Sequence, residues 1–305
     1  MYREQCRVTP AIQPDRPASE LTVAVVVPVR GHGELLTGLL ECLARQDRRP
    51  DHIVLADDSP DGSLEPPTPD LTVVRSGGVG PYGARNRAWR SVEADVYLFV
   101  DARSRPRDTW CGALTALFAE PDVDLAGSEI NVLPGPTLPA RAAHAEQLFA
   151  VRGYVDQPWF LPYFPTCNLG IRRSALERVQ GFGEVRSGGD ADLCWRVIES
   201  GGGYAVDRSV QLDWVPRVKV RDFLEQRYRY GGSNVALRRS WAGRGMAAPV
   251  PPALGDLARR AALIALRTPW AAVRRREDRL QAQLLASAYV ARDLGVRRAL
   301  RRAEG

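Results

Sequence analysis

The chain reads as an α/β protein: a mostly parallel sheet flanked by helices, followed by a helical C-terminal extension. Three features predict this. Short β-branched or apolar runs alternate with helically spaced stretches through the N-terminal third. Three of those runs, Val23 to Val29, His52 to Ala56 and Val96 to Val100, end in polar or charged clusters, and open parallel sheets bind ligands beyond the carboxyl ends of their strands. From Asp256 onward the pattern is helical, amphipathic and rich in arginine.

Residues 1–20 carry Pro10, Pro14 and Pro17 and read as a flexible lead-in. Leu21 to Val27 is a nearly unbroken β-branched run, suited to a parallel strand buried on both faces. Glu34 to Arg45 places Leu35, Leu36, Leu39, Leu40 and Leu43 at helical spacing. His52 to Ala56 and Leu71 to Val74 predict two further strands, a helix opens near Tyr82, and Asp95 to Val100 predicts a fourth strand. Asp124 to Trp214 is mixed: aromatic loops, short strands and one strong helix, Asp192 to Ser200, stopped by Gly201 to Gly203. Asp222 to Arg239 predicts a helix, Pro249 to Pro252 a linker, and Asp256 to Leu266 and Glu277 to Leu294 two arginine-rich amphipathic helices.

Composition narrows the function. Hydrophobic content of 45% and charged content of 26% are ordinary for a soluble protein. The longest apolar run, Val23 to Val29, is too short to span a bilayer, and Tyr2 to Glu20 has no apolar signal core, so the expected location is cytoplasmic. Five scattered cysteines with no C-x-x-C pair argue against a zinc site or a disulfide framework and for reduced, buried thiols. The net charge of +6 is uneven: Trp241 to Gly305 holds 13 Arg against 5 acidic residues. The preceding residues are near neutral, so the basicity is expected to say little about substrate. Those arginines suit a helical cap, a homodimer contact or an anionic membrane surface, the cap or dimer being preferred. No nucleic-acid-binding module accompanies them.

The motifs follow one another in a telling order. Asp57-Asp58-Ser59 ends the second strand, where carboxylates can accept from a base imide or ribose hydroxyls, or simply shape a solvated turn. Gly78-x-Gly80-x-x-Gly83 matches a dinucleotide fingerprint literally. It follows the third strand rather than the first, and Pro81 removes an amide that would cradle a pyrophosphate, so that reading is rejected. Asp101-Ala102-Arg103 ends the fourth strand. Pro165 to Leu176 contains Cys167-Asn168-Leu169 and the pair Arg172-Arg173, and lies after the aromatics Tyr154, Trp159, Phe160, Tyr163 and Phe164. Ser187-Gly188-Gly189-Asp190-Ala191-Asp192 is expected to be a loosened loop ahead of the Asp192 helix, with Asp192 as its cap and Asp190 free. Arg227-Tyr228-Arg229-Tyr230-Gly231-Gly232-Ser233 lies within the helix predicted over Asp222 to Arg239.

In this order, over roughly Leu21 to Trp241, the motifs resemble those of a bacterial, inverting family 2 glycosyltransferase with the GT-A fold, built on a Rossmann-type sheet. The resemblance implies a nucleotide-binding half over 21–125, an acceptor half over 126–240 and a basic extension over 241–305. It implies a nucleotide-diphosphate sugar donor, a UDP-sugar ahead of a GDP-sugar, an acceptor hydroxyl of unspecified kind, and Asp190 as general base. Pro28, Arg30, Asp57, Asp58, Arg85, Asp101, Asn168, Arg227 and Arg229 would serve the donor, and Trp159, Tyr163 and Asp192 the acceptor. Two departures stand out. The family's Asp-x-Asp is Asp101-Ala102-Arg103, and no histidine follows Val210, where many relatives place a further Mn²⁺ or Mg²⁺ ligand. Either Arg103 supplies the positive charge itself, the preferred reading, or Asp101 and Asp213 hold a weak metal, or Arg103 turns away to a surface acid. Gly189 also replaces the glutamate of the family's Glu-Asp pair. A catalytically inactive nucleotide-sugar-binding protein is the alternative reading.

Overall fold

The computed structural model describes residues 17–302, apart from 32, 63, 67 and 186. The lead-in ahead of residue 17, with Cys6, lies outside the described residues. Eight strands form one sheet: β1 (Val23–Val29), β2 (His52–Asp57), β3 (Thr72–Arg75), β4 (Val96–Phe99), β5 (Ser104–Pro106), β6 (Val123–Val132), β7 (Leu169–Arg172) and β8 (Gly203–Trp214). Their spatial order is β3-β2-β1-β4-β7-β6-β8-β5. The β3-β2-β1-β4 half is parallel throughout. In the other half β7 runs antiparallel to β4 and β6, β8 parallel to β6, and β5 antiparallel to β8.

Burial on both faces makes β1 a continuous apolar run, as its sequence predicts. Val25 and Val27 face a cluster with Leu39 and Leu43 of α1 (Glu34–Ala44) and Trp110 and Leu114 of α3 (Trp110–Leu117). Ala24 and Val26 face Ala84 and Ala88 of α2 (Pro81–Trp89) and Leu193 and Val197 of α6 (Gly189–Glu199). The carboxyl ends of β1, β2 and β4 therefore open on one edge. The four described cysteines are unpaired and buried.

The mixed region holds the short strand β7, as expected, but also two long ones. β6 and β8 are interspersed with polar residues, and their pairing shifts register near Ser128 and Glu129, which hides the alternation. Two short helices, α4 (Leu138–Glu146) and α5 (Arg173–Arg178), were also not legible. The strong helix starts at Gly189, not Asp192, because Gly188 at φ 83° supplies a left-handed N-cap without a side chain.

The C-terminal extension is a packed structure. It follows α7 (Val220–Ser240) and comprises α8 (Leu254–Val273) and α9 (Glu277–Arg301), both longer than predicted. Pro269 does not end α8, whose next turn is anchored by buried Ala271. The helix α9 crosses α7 at a glycine contact. A Cβ on Gly231 would lie 1.9 Å from the Arg292 carbonyl oxygen, and one on Gly295 2.0 Å from that of Tyr228. Backbone cannot yield there without parting the helices. Gly231→Ala is accordingly expected to cost about 1–3 kcal/mol or more of stability, read as a lowered Tm. Gly243→Ala, with nothing within 4 Å of the added carbon, is the silent control.

Candidate active site

A cleft of about 1330 Å³ opens beyond the carboxyl ends of the parallel strands. Its walls carry seven arginines, Arg30, Arg85, Arg87, Arg90, Arg103, Arg217 and Arg229, against three acids, Asp101, Glu184 and Asp190. That excess of cationic charge suits a polyanion such as a diphosphate.

The arginines are held by named partners. Arg85, on α2, is almost wholly buried and donates to Asp101 Oδ1 at 2.5 Å and to the Pro81 carbonyl at 3.3 Å. Its Nε has no partner. Arg103 lies at the foot of β5, with its guanidinium 5.9 Å over the Trp214 ring. It donates to the carbonyls of Val215 and Pro216 at 3.3 and 3.2 Å, so it is not turned towards a surface acid. Burial, and then the neighbouring Arg217, push the Arg103 guanidinium below its ordinary value. Asp222 and Asp101 act on Arg103 in the opposite sense and offset part of this, yet burial and Arg217 prevail, so the two arginines leave a net positive charge at the cleft. Arg217, whose buried Nε also lacks a partner, had no sequence motif to announce it.

Asp190 lies on the cleft wall, in the first turn of α6 rather than on a loop before it. The Tyr82 hydroxyl donates to its Oδ1 at 3.3 Å, and the amides of Ala191 and Thr166 donate at 3.0 and 3.4 Å. Burial raises its carboxyl above the ordinary value, against the opposing pull of the Ala191 amide and Arg85. Tyr82 was missed, although it opens the helix that the sequence placed there. A Cβ on Gly189 would sit 2.9 Å from its ring, so the bulkier residue that the resemblance expects has no room.

Of the remaining expected residues, Arg30, Asp101, Tyr163 and Arg229 line the cleft. The others are placed elsewhere, for visible reasons. Asp57 is fully buried and accepts from the Ser59 and Leu64 amides, shaping the turn after β2. Burial opposes its ionisation, but hydrogen bonds from Ser59 and Leu64 hold it below the ordinary value. Asp58 sits just behind the wall, accepting from Arg30, from the Ser76 hydroxyl and from the Gly80 amide at the start of α2. Pro28 lies within β1 and does not reach the cleft. Asn168 is buried, accepting from Trp110 and donating to Ser128. Arg227 is tied to Glu146 and lies 5.1 Å over Phe223.

Asp192 is not a helix cap. It accepts from Arg196 and from the Trp241 indole, away from the cleft. Trp159 is an outlying member of the cluster around Trp195, with Arg238 over its ring. Asp213 points to the opposite face of β8 from Trp214 and is engaged by Arg107 and Asn131. Among the described residues no cluster of three His, Cys, Asp or Glu can hold a metal ion. With Asp101 ion-paired and Asp213 on the far face, the donor set does not fit a carboxylate-held Mn²⁺ or Mg²⁺.

The comparisons agree with this architecture. The chain is 30% identical over 240 residues to pre-mycofactocin glycosyltransferases from two strains of Mycobacterium tuberculosis, CDC 1551 / Oshkosh and H37Rv. The match covers 74% of this chain and 49% of each relative, so the chain spans about half the length of the curated relatives it matches. A mannosyltransferase from Pyrobaculum calidifontis, solved in complex with GDP-Man and Mn²⁺, superposes with a TM-score of 0.52 at 21% identity. That alignment covers 92% of this chain and 88% of the other, and the fold is the GT-A-like one the sequence predicts. No helix among the described residues is long and apolar enough to cross a membrane. The profile of glycosyl transferase family 2 matches residues 24–180, just over half of the chain, and the protein belongs to that family.

Proposed function

We propose that this chain transfers a glycosyl group from a nucleotide-diphosphate sugar to an acceptor hydroxyl with inversion, without a protein-held metal. The observation that carries the proposal is Asp190 set in an arginine-rich cleft at the carboxyl edge of a parallel sheet. The acceptor oxygen attacks the anomeric carbon as its proton passes to Asp190, and the bond from that carbon to the diphosphate oxygen breaks on the opposite side. Arg85, Arg103 and Arg217 meet the charge that grows on the leaving diphosphate, the part a divalent cation would otherwise take. The raised carboxyl of Asp190 is a stronger base than an exposed aspartate, which favours proton capture near neutral pH. Phe149, Tyr154, Tyr163 and Trp214 provide an aromatic wall for a pyranose ring or an apolar acceptor. Because the curated relatives are pre-mycofactocin glycosyltransferases, a pre-mycofactocin acceptor is the first to assay.

Asp58 organises the nucleotide end by fixing Arg30 and the Gly80 amide. Calorimetry with UDP and GDP tests this. At least one nucleotide binds the wild type, and Asp58→Ala weakens it about tenfold or more, as for a lost hydrogen bond to a charged group. Unchanged affinity removes Asp58 from the site. Donor binding by the wild type with no turnover on any acceptor or water points instead to a nucleotide-sugar-binding protein.

A further inference from the structure

We propose that the outward face of α8 is a docking surface for an anionic lipid bilayer. This helix is apolar on the wrong side for a surface helix. Its inward side seats Leu257 and Ala271 against the body and carries Arg260, which is paired with Asp293 of α9. Its outward side leaves Leu254 58%, Leu266 73%, Trp270 43% and Val273 83% exposed. At 3.6 residues per turn, the arc from Leu254 round to Trp270 otherwise holds exposed alanines, Gly255 and Pro269, with Arg259 as its one charge. A water-facing helix ordinarily shows the reverse pattern.

The charges around this face select its occupant. From Leu254 to Arg279 stand seven arginines against three acids, Asp256, Glu277 and Asp278. Arg274 lies 4.7 Å over the exposed Trp270 ring, and Arg279 of α9 lies 4.6 Å from it. A second copy packed through the same face would set one arginine rim against another with fewer than half as many carboxylates to meet them. An anionic headgroup layer supplies the missing negative charge, and its acyl boundary accepts the leucine, valine and tryptophan side chains. The sequence left cap, dimer and membrane open for the extension. In the fold α9 is the cap on α7, which leaves α8 as the face to be covered.

Vesicle co-sedimentation of the full chain tests the proposal. The protein should sediment with phosphatidylcholine vesicles containing roughly one third phosphatidylglycerol, less so at high salt, and stay in solution with pure phosphatidylcholine. Leu266→Glu combined with Val273→Glu should abolish sedimentation without lowering Tm, since both side chains are exposed. Arg267→Gln with Arg274→Gln should weaken partitioning on the order of tenfold. Failure to sediment with the anionic vesicles overturns the proposal, as does equal sedimentation with both lipids. So does a dimer in ultracentrifugation that Leu266→Glu converts to monomer, because the face then belongs to a second copy.

Discussion

Asp190→Asn is expected to lower transfer by about 10²–10⁴-fold, the range for loss of a general base, while nucleotide affinity stays close to wild type. Asparagine keeps the shape and the bond from Tyr82, but it cannot take the acceptor proton. The same variant should be more stable than wild type at neutral pH. Burial holds the Asp190 carboxyl above its ordinary value, so the folded state favours the protonated form. Its stabilising contribution is fully present below the unfolded pKa and is lost as pH rises through the folded one. Asparagine escapes that loss. Paired melting curves should show the variant's advantage at neutral pH shrinking as pH falls through the raised folded pKa towards the ordinary aspartate value. Catalysis has the opposite sign, because the base must be ionised: wild-type kcat/KM should fall on the acid side, with a midpoint above that of an ordinary aspartate. Wild-type turnover in the asparagine variant would make Asp190 a structural residue.

Arg103→Ala is expected to reduce kcat by about 10²–10³-fold, the effect of removing one preorganised stabiliser of transition-state charge. The nucleotide Kd should change much less, since charge on the bridging oxygen grows only towards the transition state. Arg103 is held by two main-chain carbonyls and the Trp214 ring, so it is in place before substrate arrives. Arg103→Lys keeps the charge but not the planar fork, and should recover only part of the rate. Equal losses in kcat and in nucleotide affinity would assign Arg103 to ground-state binding alone.

The parallel half of the fold was legible because its central strands β1 and β4 are buried on both faces, so β1 had to be apolar almost throughout. The mixed half was not. Strands β6 and β8 carry polar residues and register shifts, and Gly127 gives up its side chain to the Phe164 ring, so alternation fails as a guide. Asp190 was legible as a residue but not in its place, because a glycine in the left-handed region replaced the acidic cap that the sequence suggests at Asp192. The cleft's charge was invisible for another reason. Summed along the chain, the first 240 residues are near neutral, yet arginines from several separate segments converge on one wall. Arg217 and Tyr82 belong to that convergence and to no motif.

The most direct measurement is release of nucleoside diphosphate from a panel of UDP- and GDP-sugars, with acceptor present, in excess chelator. Expected are release by the wild-type protein, little response to added Mn²⁺ or Mg²⁺, and near-complete loss in Asp190→Asn. An enzyme silenced by the chelator and revived by a divalent cation would contradict transfer without a protein-held metal.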